Sequence, residues 1–421
     1  MTLREAEDYL LGLELFGMRF GLDRMHKLMT ALGMPQRRYA SIHVVGSNGK
    51  SSTVHFIAAL LERHGLRIGS YTSPHLASFR ERIEIGGVPT TGEEFAAAVA
   101  RAKHAAEMVE RTLADDDGVT QFEALTAAAY HELAARGVEV AVIEAGLGGR
   151  YDATNVIPSR VQVLTGVGLE HTRWLGPTVS HIAEEKLAVV RRNGTLVVGE
   201  LPGEVRALAQ RTAREQGAAL IQAPGDPTYG GTGESVPPLR AAGAFQRRNF
   251  ALAYAAAEAF LGRPLEQEAV RSAAAETLVP GRLEAVDSDP LTLYDGAHNP
   301  AGAEALAGAV PEVIGDRRPL VLVMSVLEDK DAAGMLEALL PLADGVVFTR
   351  CENPRSLSPA TLASLAAKVA DVRGETVAQP RAAVARAREL AGPGGAVLAT
   401  GSIYLIADLV REASGARASA L

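Results

Sequence analysis

The stretch that decides the fold runs from Ser41-Ile-His-Val-Val45 into Gly46-Ser-Asn-Gly-Lys-Ser-Ser52. A short apolar run, a glycine-bearing turn and a helical pattern through Arg63 predict a strand, a loop and a helix, in that order. Such a loop directs backbone N–H groups and the positive end of the helix dipole at an anion. It therefore predicts a phosphate-binding loop, with the residues Gly46, Ser47, Asn48, Gly49, Lys50, Ser51 and Ser52.

Two side-chain types in this loop suit a nucleotide. Lys50 is placed to reach the terminal phosphates, and a hydroxyl from Ser51 or Ser52 is placed to reach Mg²⁺. The pattern departs from the usual P-loop at one position, because Val44 stands where the first glycine would be. A plain glycine turn before a helix is the alternative that this departure leaves open.

Apolar runs alternate with helical patterns along the rest of the chain, which predicts largely parallel sheets with helices on both faces. Residues 1–35 are predicted to be helical, and the prolines and glycines between Ala223 and Arg240 predict a loop or a small insertion. The segment 279–282 is typical of a hinge. We therefore predict an N-terminal P-loop ATPase domain over residues 1–279 and a smaller Rossmann-like α/β domain over residues 280–421. The further predicted strands are 138–143, 161–167, 195–198, 291–294, 320–324, 346–348 and 396–399.

The composition is that of an ordinary globular protein, with 47% hydrophobic and 22% charged residues in a chain of 421. Intrinsic disorder is excluded, and no apolar run is long enough to predict a membrane-spanning helix. A net charge of -8 argues against nucleic acid as the main partner. One cysteine, Cys351, permits no intramolecular disulfide, and the acidic N-terminus lacks the pattern of a signal peptide. We expect a cytoplasmic protein.

Ionisable residues near strand ends are the other candidates. Glu144 could ligate Mg²⁺ or cap the next segment, because ligands of open α/β sheets bind at the carboxyl ends of strands. His171 follows the next strand, but a lone histidine is more often structural, and Mg²⁺ prefers oxygen ligands. Lys186 alone suggests a surface lysine paired with an acid one turn away. Asp295 and His298 either face a nucleotide or belong to an Asx-type turn.

These segments, in this order, resemble the folylpolyglutamate synthase and dihydrofolate synthase family of the Mur ligase superfamily. Any one of them would be a weak signal, but the ordered set extends over most of the chain and is highly specific. The segments are 42–50, 72–76, 81–83, 122–123, 144–155, 169–176, 185–186, 246–249, 280–282, 295–300 and 401–402.

The resemblance implies a two-domain monomeric ligase that binds ATP and Mg²⁺ between its domains. Lys186 matches a lysine that this superfamily often carries as a carbamate, and a monovalent cation is a further expected cofactor. The implied catalytic residues are Lys50, Glu144, His171 and Lys186. The implied further nucleotide contacts are Asn249, Arg282, Asp295 and His298. The implied Mg²⁺ ligands are Ser52, Ser73, Glu144 and His171, and the implied contacts to the pterin substrate are Gly21, Leu22, Asp23, Arg24, Phe122, Tyr151, Asp152 and Ala153.

The activity that the resemblance implies belongs to folate biosynthesis. It is the ATP-dependent addition of L-glutamate to dihydropteroate, to glutamylated tetrahydrofolate or to both, through an acyl phosphate. A cell-wall Mur ligase would share the ATP site, but only about 40 residues precede the first strand, which leaves no obvious extra domain for a uridine nucleotide. A P-loop switch protein is the other alternative, but the sequence lacks a guanine-reading Asn-Lys-x-Asp motif and the second domain would be unexplained.

Two residues depart from the family pattern. Ser51 stands where the family usually has glycine after the P-loop lysine, so that either Ser51 or Ser52 could meet Mg²⁺. Glu170 stands where the family usually has aspartate before His171. Because glutamate is one methylene longer, we expect a shifted contact behind the metal site.

Overall fold

The computed structural model describes residues 1–14, 21–114, 117–224, 228–229, 234–235, 238–370 and 374–411. These residues form two α/β units, each built on a largely parallel sheet with helices on its faces. The predicted fold class is therefore confirmed, whereas the domain boundary at 279/280 stays a prediction. In the described part of the chain, no helix combines the length and the apolar character needed to cross a membrane.

The first sheet has eight strands. They are β1 Ala40–Val45, β2 Ile68–Tyr71, β3 Ile83–Ile85, β4 Val88–Pro89, β5 Val140–Glu144, β6 Val161–Leu164, β7 Thr195–Val198 and β8 Ala219–Gln222. Their order is β4-β3-β2-β5-β1-β6-β7-β8, and only β3 and β4 run antiparallel to their neighbours. The inner strands are nearly continuous apolar runs because both of their faces are buried. As β1 lies between β5 and β6, the carboxyl ends of these three strands meet at one edge.

Ten helices of the described residues accompany this sheet. They are α1 Leu3–Gly12, α2 Asp23–Ala31, α3 Lys50–Glu62, α4 Gly92–Glu110, α5 Gln121–Ala135, α6 Thr172–Leu175, α7 Val179–Leu187, α8 Gly203–Gln216, α9 Ala244–Leu261 and α10 Gln267–Glu276. Helices α1, α2, α4 and α5 share one hydrophobic cluster, and α3, α9 and α10 share another. The predicted helical region 1–35 thus contains two helices, and its Gly17 lies outside the described residues.

Short elements occupy several connections. Two-residue strands, β9 Thr228–Tyr229 and β10 Glu234–Ser235, pair within the predicted loop region. Turns of 3₁₀ helix lie at Pro35–Arg37, Phe79–Arg82, Ala153–Val156 and Leu340–Leu342.

The second sheet has six strands. They are β11 Glu284–Ser288, β12 Leu291–Tyr294, β13 Leu320–Met324, β14 Gly345–Phe348, β15 Glu375–Thr376 and β16 Ala396–Thr400. The order is β11-β12-β16-β13-β14-β15, with β11 alone antiparallel. The helices of this unit are α11 Pro300–Ile314, α12 Ala332–Leu339, α13 Pro359–Ala370, α14 Pro380–Ala391 and α15 Ile403–Val410.

The loop after β2 joins the two units. Its Leu76 is buried and belongs to the hydrophobic cluster of the second sheet, together with Val397 and Ile406. Gly281, at the start of the second unit, lies so close to Leu76 and Ile406 that an added Cβ would be in tight contact with both side chains. A side chain from the first unit therefore completes the core of the second.

Candidate active site

The phosphate-binding loop connects β1 to α3 as predicted. Gly46 has φ +154° and Gly49 has φ +81°, values that L side chains rarely adopt. A Cβ on Gly46 would collide with Thr165 Oγ1, and one on Gly49 would collide with Asn249 Oδ1. Glycine is therefore required at both positions by backbone conformation and by close packing.

The lysine of this loop lies folded onto its own backbone. Lys50 Nζ donates hydrogen bonds to the carbonyl oxygens of Gly46 at 3.0 Å and Ser47 at 3.3 Å. Lys50 is also the first residue of α3, so its charge adds to the positive end of that helix. The loop thus concentrates positive potential where an anion would lie.

A buried carboxylate lies next to the loop. Glu144, the last residue of β5, is only 1% exposed. Ser51 Oγ donates to Glu144 Oε1 at 3.0 Å, and the Ser73 N–H donates to Oε2 at 3.2 Å. Burial raises the pKa of Glu144, and Lys50 opposes that rise. Ser52 is also buried and lines the same cavity, but the contact to Glu144 is made by Ser51.

Behind the loop lies a buried ion pair. Lys186 Nζ donates to Glu170 Oε1 at 2.8 Å and to the Gly46 carbonyl at 2.9 Å, and both partners of the pair are almost wholly buried. Burial lowers the pKa of Lys186, which Glu170 opposes. Burial alone would raise the pKa of Glu170, but Lys186 and Lys50 outweigh it and lower that pKa to about 2. Lys186 is thus neither a surface lysine nor among the residues that line the cavity.

His171 precedes α6 in an unusual backbone conformation. Its φ of +45° lies in the left-handed region, which is uncommon for a residue other than glycine. His171 lines the cavity and is exposed to solvent there, but desolvation by the surrounding walls, followed by the charge of Lys330, lowers its pKa to about 4. The imidazole is therefore neutral near pH 7, the form that can ligate a metal.

The second unit supplies the opposite wall of the cavity. Arg282, Asp295 and His298 line it. Asp295 accepts from the N–H groups of Leu283 at 2.8 Å and Ala297 at 2.7 Å, which holds the turn after β12. Burial lowers the pKa of His298 to about 4.

Most of the predicted substrate residues line the same cavity. Arg24, Phe122, Tyr151, Asp152 and Ala153 line it, whereas Gly21, Leu22 and Asp23 are not among the described residues that do. The Nε of Arg24 donates to both oxygens of Glu123 at 3.1 Å. Asp152 Oδ2 accepts from the Leu147 N–H at 2.7 Å, so the acid also fixes its own loop.

One cavity of about 1330 Å³ joins all three regions. That volume exceeds the roughly 300–1,000 Å³ of a pocket for one drug-sized ligand. It can hold a nucleotide together with another substrate. A P-loop, a buried strand-end carboxylate and a second α/β unit across a shared cavity define an ATP-dependent ligase of the Mur type.

The comparisons with known proteins agree with this class. Residues 281–403 match the family model of the Mur ligase glutamate ligase domain. A dihydrofolate synthase/folylpolyglutamate synthase of Mycobacterium tuberculosis is 38% identical over 81% of this chain and 76% of its own. The crystal structure of M. tuberculosis folylpolyglutamate synthase with ADP and AMPPCP has a TM-score of 0.89 at 34% identity, covering 97% of both chains. E. coli FolC with DHPP and ADP has a TM-score of 0.85 at 28% identity, covering 97% of both chains.

This chain belongs to the folylpolyglutamate synthase/dihydrofolate synthase family. The family resemblance is therefore confirmed, and the folate branch is favoured over the cell-wall Mur ligases. The nucleotides in the related structures also support ATP as the ligand of the P-loop.

Two contacts in the site involve residues that the sequence did not single out. Thr165 Oγ1 donates to the Asn48 carbonyl at 2.6 Å, and the side-chain amide of Asn299 pairs with that of Asn48. A signal for Asn299 was present, because asparagine before Pro300 is typical of a helix start. Nothing local identifies Thr165, whose contact depends on β6 lying next to β1.

Proposed function

We propose that the protein ligates L-glutamate to dihydropteroate, to glutamylated tetrahydrofolate or to both, with conversion of ATP to ADP and phosphate. The observation that carries the proposal is the shared cavity, which is lined both by the P-loop and Glu144 and by Phe122 and Tyr151. A folate-type acceptor bound by the second group would direct its carboxylate towards the γ-phosphate. We also propose the domain division at 279/280.

The chemistry follows from the poor leaving group of a carboxylate. The acceptor carboxylate attacks the γ-phosphorus in line, which breaks the bond to the β,γ-bridging oxygen and releases ADP. The deprotonated amine of L-glutamate then attacks the acyl phosphate, and phosphate leaves as the amide forms. In this scheme Lys50 neutralises charge on the phosphates, and the second unit keeps water from the acyl phosphate.

Mg²⁺ fits the residues beside the P-loop. Glu144 and the Ser51 hydroxyl supply oxygen atoms 3.0 Å apart, which are the ligand type that Mg²⁺ prefers. The described residues contain no group of three or more His, Cys, Asp or Glu that could hold a metal, so phosphate oxygens and water would complete the coordination that the protein ligands begin. When bound, the ion would neutralise phosphate charge. Ser73 and His171 are the other proposed ligands.

A matched pair of variants distinguishes the two serines. We propose that Ser51, rather than Ser52, supplies the hydroxyl, because it already contacts Glu144. Ser51→Ala should raise the Mg²⁺ concentration needed for half-maximal turnover, whereas Ser52→Ala should leave it nearly unchanged. The reverse result would assign the metal to Ser52.

Carbamylation of Lys186 is a separate proposal. Burial lowers the pKa of Lys186, and a neutral amine is the form that reacts with CO₂. A carbamate would, however, bring a second anion to Glu170, which now lies 2.8 Å from Nζ. The modification therefore requires Glu170 to move or a cation to lie between the two anions, and this is where a monovalent cation would fit. A ¹³C NMR carbamate signal after incubation with ¹³C-bicarbonate, absent from Lys186→Arg, would support it, and its absence would leave Lys186 as an ammonium.

The assay that tests the function measures ADP release with Mg-ATP and L-glutamate, with dihydropteroate in one tube and tetrahydrofolate in another. Turnover in both indicates a bifunctional enzyme, and turnover in one identifies the single activity. Lys50→Ala should abolish turnover, while Lys368→Ala, an exposed lysine of α13, should not. If a folded protein that binds ATP released no ADP with either substrate, another Mur-type acceptor would be favoured.

We also propose that the protein is a cytoplasmic monomer. The described residues of one copy line a continuous cavity with the P-loop and the predicted acceptor contacts, which supports the proposal. Sedimentation velocity across a range of concentrations tests the oligomeric state, and a concentration-independent dimer would contradict the proposal.

A further inference from the structure

The P-loop is hydrogen-bonded to both units of the protein. On the side of the first unit, Ser47 Oγ donates to the Gly168 carbonyl at 3.1 Å and accepts from the Gly168 N–H at 3.0 Å. On the side of the second unit, Asn48 Nδ2 donates to Asn299 Oδ1 at 3.2 Å, and Asn299 Nδ2 donates to Asn48 Oδ1 at 3.1 Å. The phosphate-binding loop is therefore held on two sides.

The side-chain amides of Asn48 and Asn299 form a reciprocal pair of hydrogen bonds. Each amide donates and accepts once across the interface, so the pair is satisfied reciprocally. Asn299 is 6% exposed, and its Oδ1 also accepts from the Gly302 N–H at 2.8 Å as the N-cap of α11. Asn299 thus couples the first turn of α11 to the P-loop.

The first turn of α11 lies close to the P-loop around this pair of amides. A Cβ on Gly302 would lie 3.6 Å from Asn48 Oδ1, an ordinary van der Waals distance, so the first turn of α11 lies beside the P-loop side chain. Ala301 and Gly302 line the same cavity as Asn48 and Lys50. A movement of the second unit would therefore be transmitted to the P-loop through Asn299.

We infer that Asn299 is a positioning residue for ATP: it holds Asn48, and through it the P-loop, in the orientation that accepts the phosphates. The affinity of the P-loop for ATP therefore depends on the seating of the second unit. The inference rests on the proposed function only in taking ATP as the ligand of the loop, and does not depend on which acceptor is used.

The test is a variant that removes the pair but keeps the helix cap. Serine is a good N-cap but cannot reach Asn48, so Asn299→Ser separates the two roles of the side chain. Two net hydrogen bonds, each contributing a factor of about five, set the scale for the loss. We expect the Kd for Mg-ATP, measured by calorimetry, to rise about twenty-five-fold, the product of the two factors. The protein should stay folded at the assay temperature, because the cap of α11 is retained.

Three further measurements exclude a merely structural effect. In steady state the KM for ATP should rise while kcat stays within about threefold, because the pair contributes equally to the ground and transition states. Asn48→Ala and the double variant Asn48→Ala/Asn299→Ser should bind ATP with nearly equal Kd, since both lack the same pair. Asp331→Ser, which replaces the N-cap of α12 by another cap-forming residue outside the described lining of the cavity, is the control and should bind ATP as the parent does.

Parental ATP affinity in Asn299→Ser would overturn the inference, as would additive losses in the double variant. If Asn299→Ser fails to fold, Asn299→Thr, a second cap-forming residue, answers the same question. A chain that binds ATP and shows the predicted loss in the variant, yet has no ligase turnover, would refute the proposed function alone.

Discussion

The buried pair of Glu170 and Lys186 leads to a prediction about stability. Replacing Glu170 by glutamine keeps the size of the side chain and an acceptor for Lys186 Nζ, but removes the negative charge. The pKa of Glu170 is about 2 in the fold against an ordinary value of 4.5. At about 1.4 kcal/mol per pKa unit, this separation corresponds to about 3 kcal/mol at neutral pH. The cost of burying the charge of Lys186 offsets part of the stabilisation that the intact pair gives the fold. Removing the negative partner, however, leaves that buried charge without compensation.

The pH dependence has a definite sign. Because the pKa of Glu170 is lower in the folded state than in the unfolded state, its contribution is fully present above about pH 4.5. It is lost progressively as the pH falls towards 2. The gap in free energy of unfolding between parent and Glu170→Gln should therefore narrow from about 3 kcal/mol at pH 7 to roughly half of that near pH 3.

Urea unfolding followed by tryptophan fluorescence measures this gap, because Trp174 is the one tryptophan of the chain and lies in α6, the helix that follows Glu170. The control is Glu185→Gln, whose carboxylate makes a partly exposed pair with Arg150 and should change stability by less than about 1 kcal/mol. A Glu170→Gln variant as stable as the parent at pH 7, or a gap that does not narrow in acid, would refute the reasoning.

Three further outcomes are expected. Gly46→Ala should abolish ATP binding measured by calorimetry, because the new Cβ would collide with Thr165 Oγ1. Adding Thr165→Ala should restore little binding, since the strain of the backbone at residue 46 remains. Full binding by the single variant would contradict this. Glu144→Gln should lower turnover at least about a hundredfold without loss of thermal stability in metal-free buffer, because burial already raises the pKa of that carboxyl; an active variant would remove Glu144 from the site. The pH profile of kcat/KM should show no break near 6.5 from His171 or His298, because desolvation by the cavity walls lowers both pKa values to about 4. A break that is lost in either His→Gln variant would contradict the neutral imidazoles.

The sequence predicts those parts of the fold whose signal is local. Strands at Thr195–Val198 and Leu320–Met324 have the predicted bounds because apolar residues fill positions buried on both faces. Strands Ala219–Gln222 and Glu284–Ser288 are not predicted, because both are mostly exposed edge strands and the apolar run of the first is only three residues long. They exist because β7 and β12 offer free backbone groups, which is a long-range property. The order of strands is equally invisible in a local pattern.

The site divides in the same way. The P-loop is recognisable because its strand, turn and helix are consecutive in the chain. The partner of Lys186 is Glu170, which departs from the family pattern. The ion pair between them depends on the tertiary structure, because it joins the loop before α6 to α7. Whether Ser51 or Ser52 faces Glu144 depends on the rotation of α3, which begins at Lys50. Contacts of this kind follow from the tertiary structure and have no signature in the spacing of residues.

The position of Leu76 determines where the chain can be divided into fragments that keep their cores. Because this first-unit side chain fills the hydrophobic cluster around Ile406, a fragment ending at the predicted boundary would expose it to water and leave a cavity in the remaining piece. Chimeras that exchange the C-terminal module between relatives should therefore carry the loop of residues 73–82 along with it. In evolutionary terms, this loop and the second unit are expected to change together, as the two halves of one interface do.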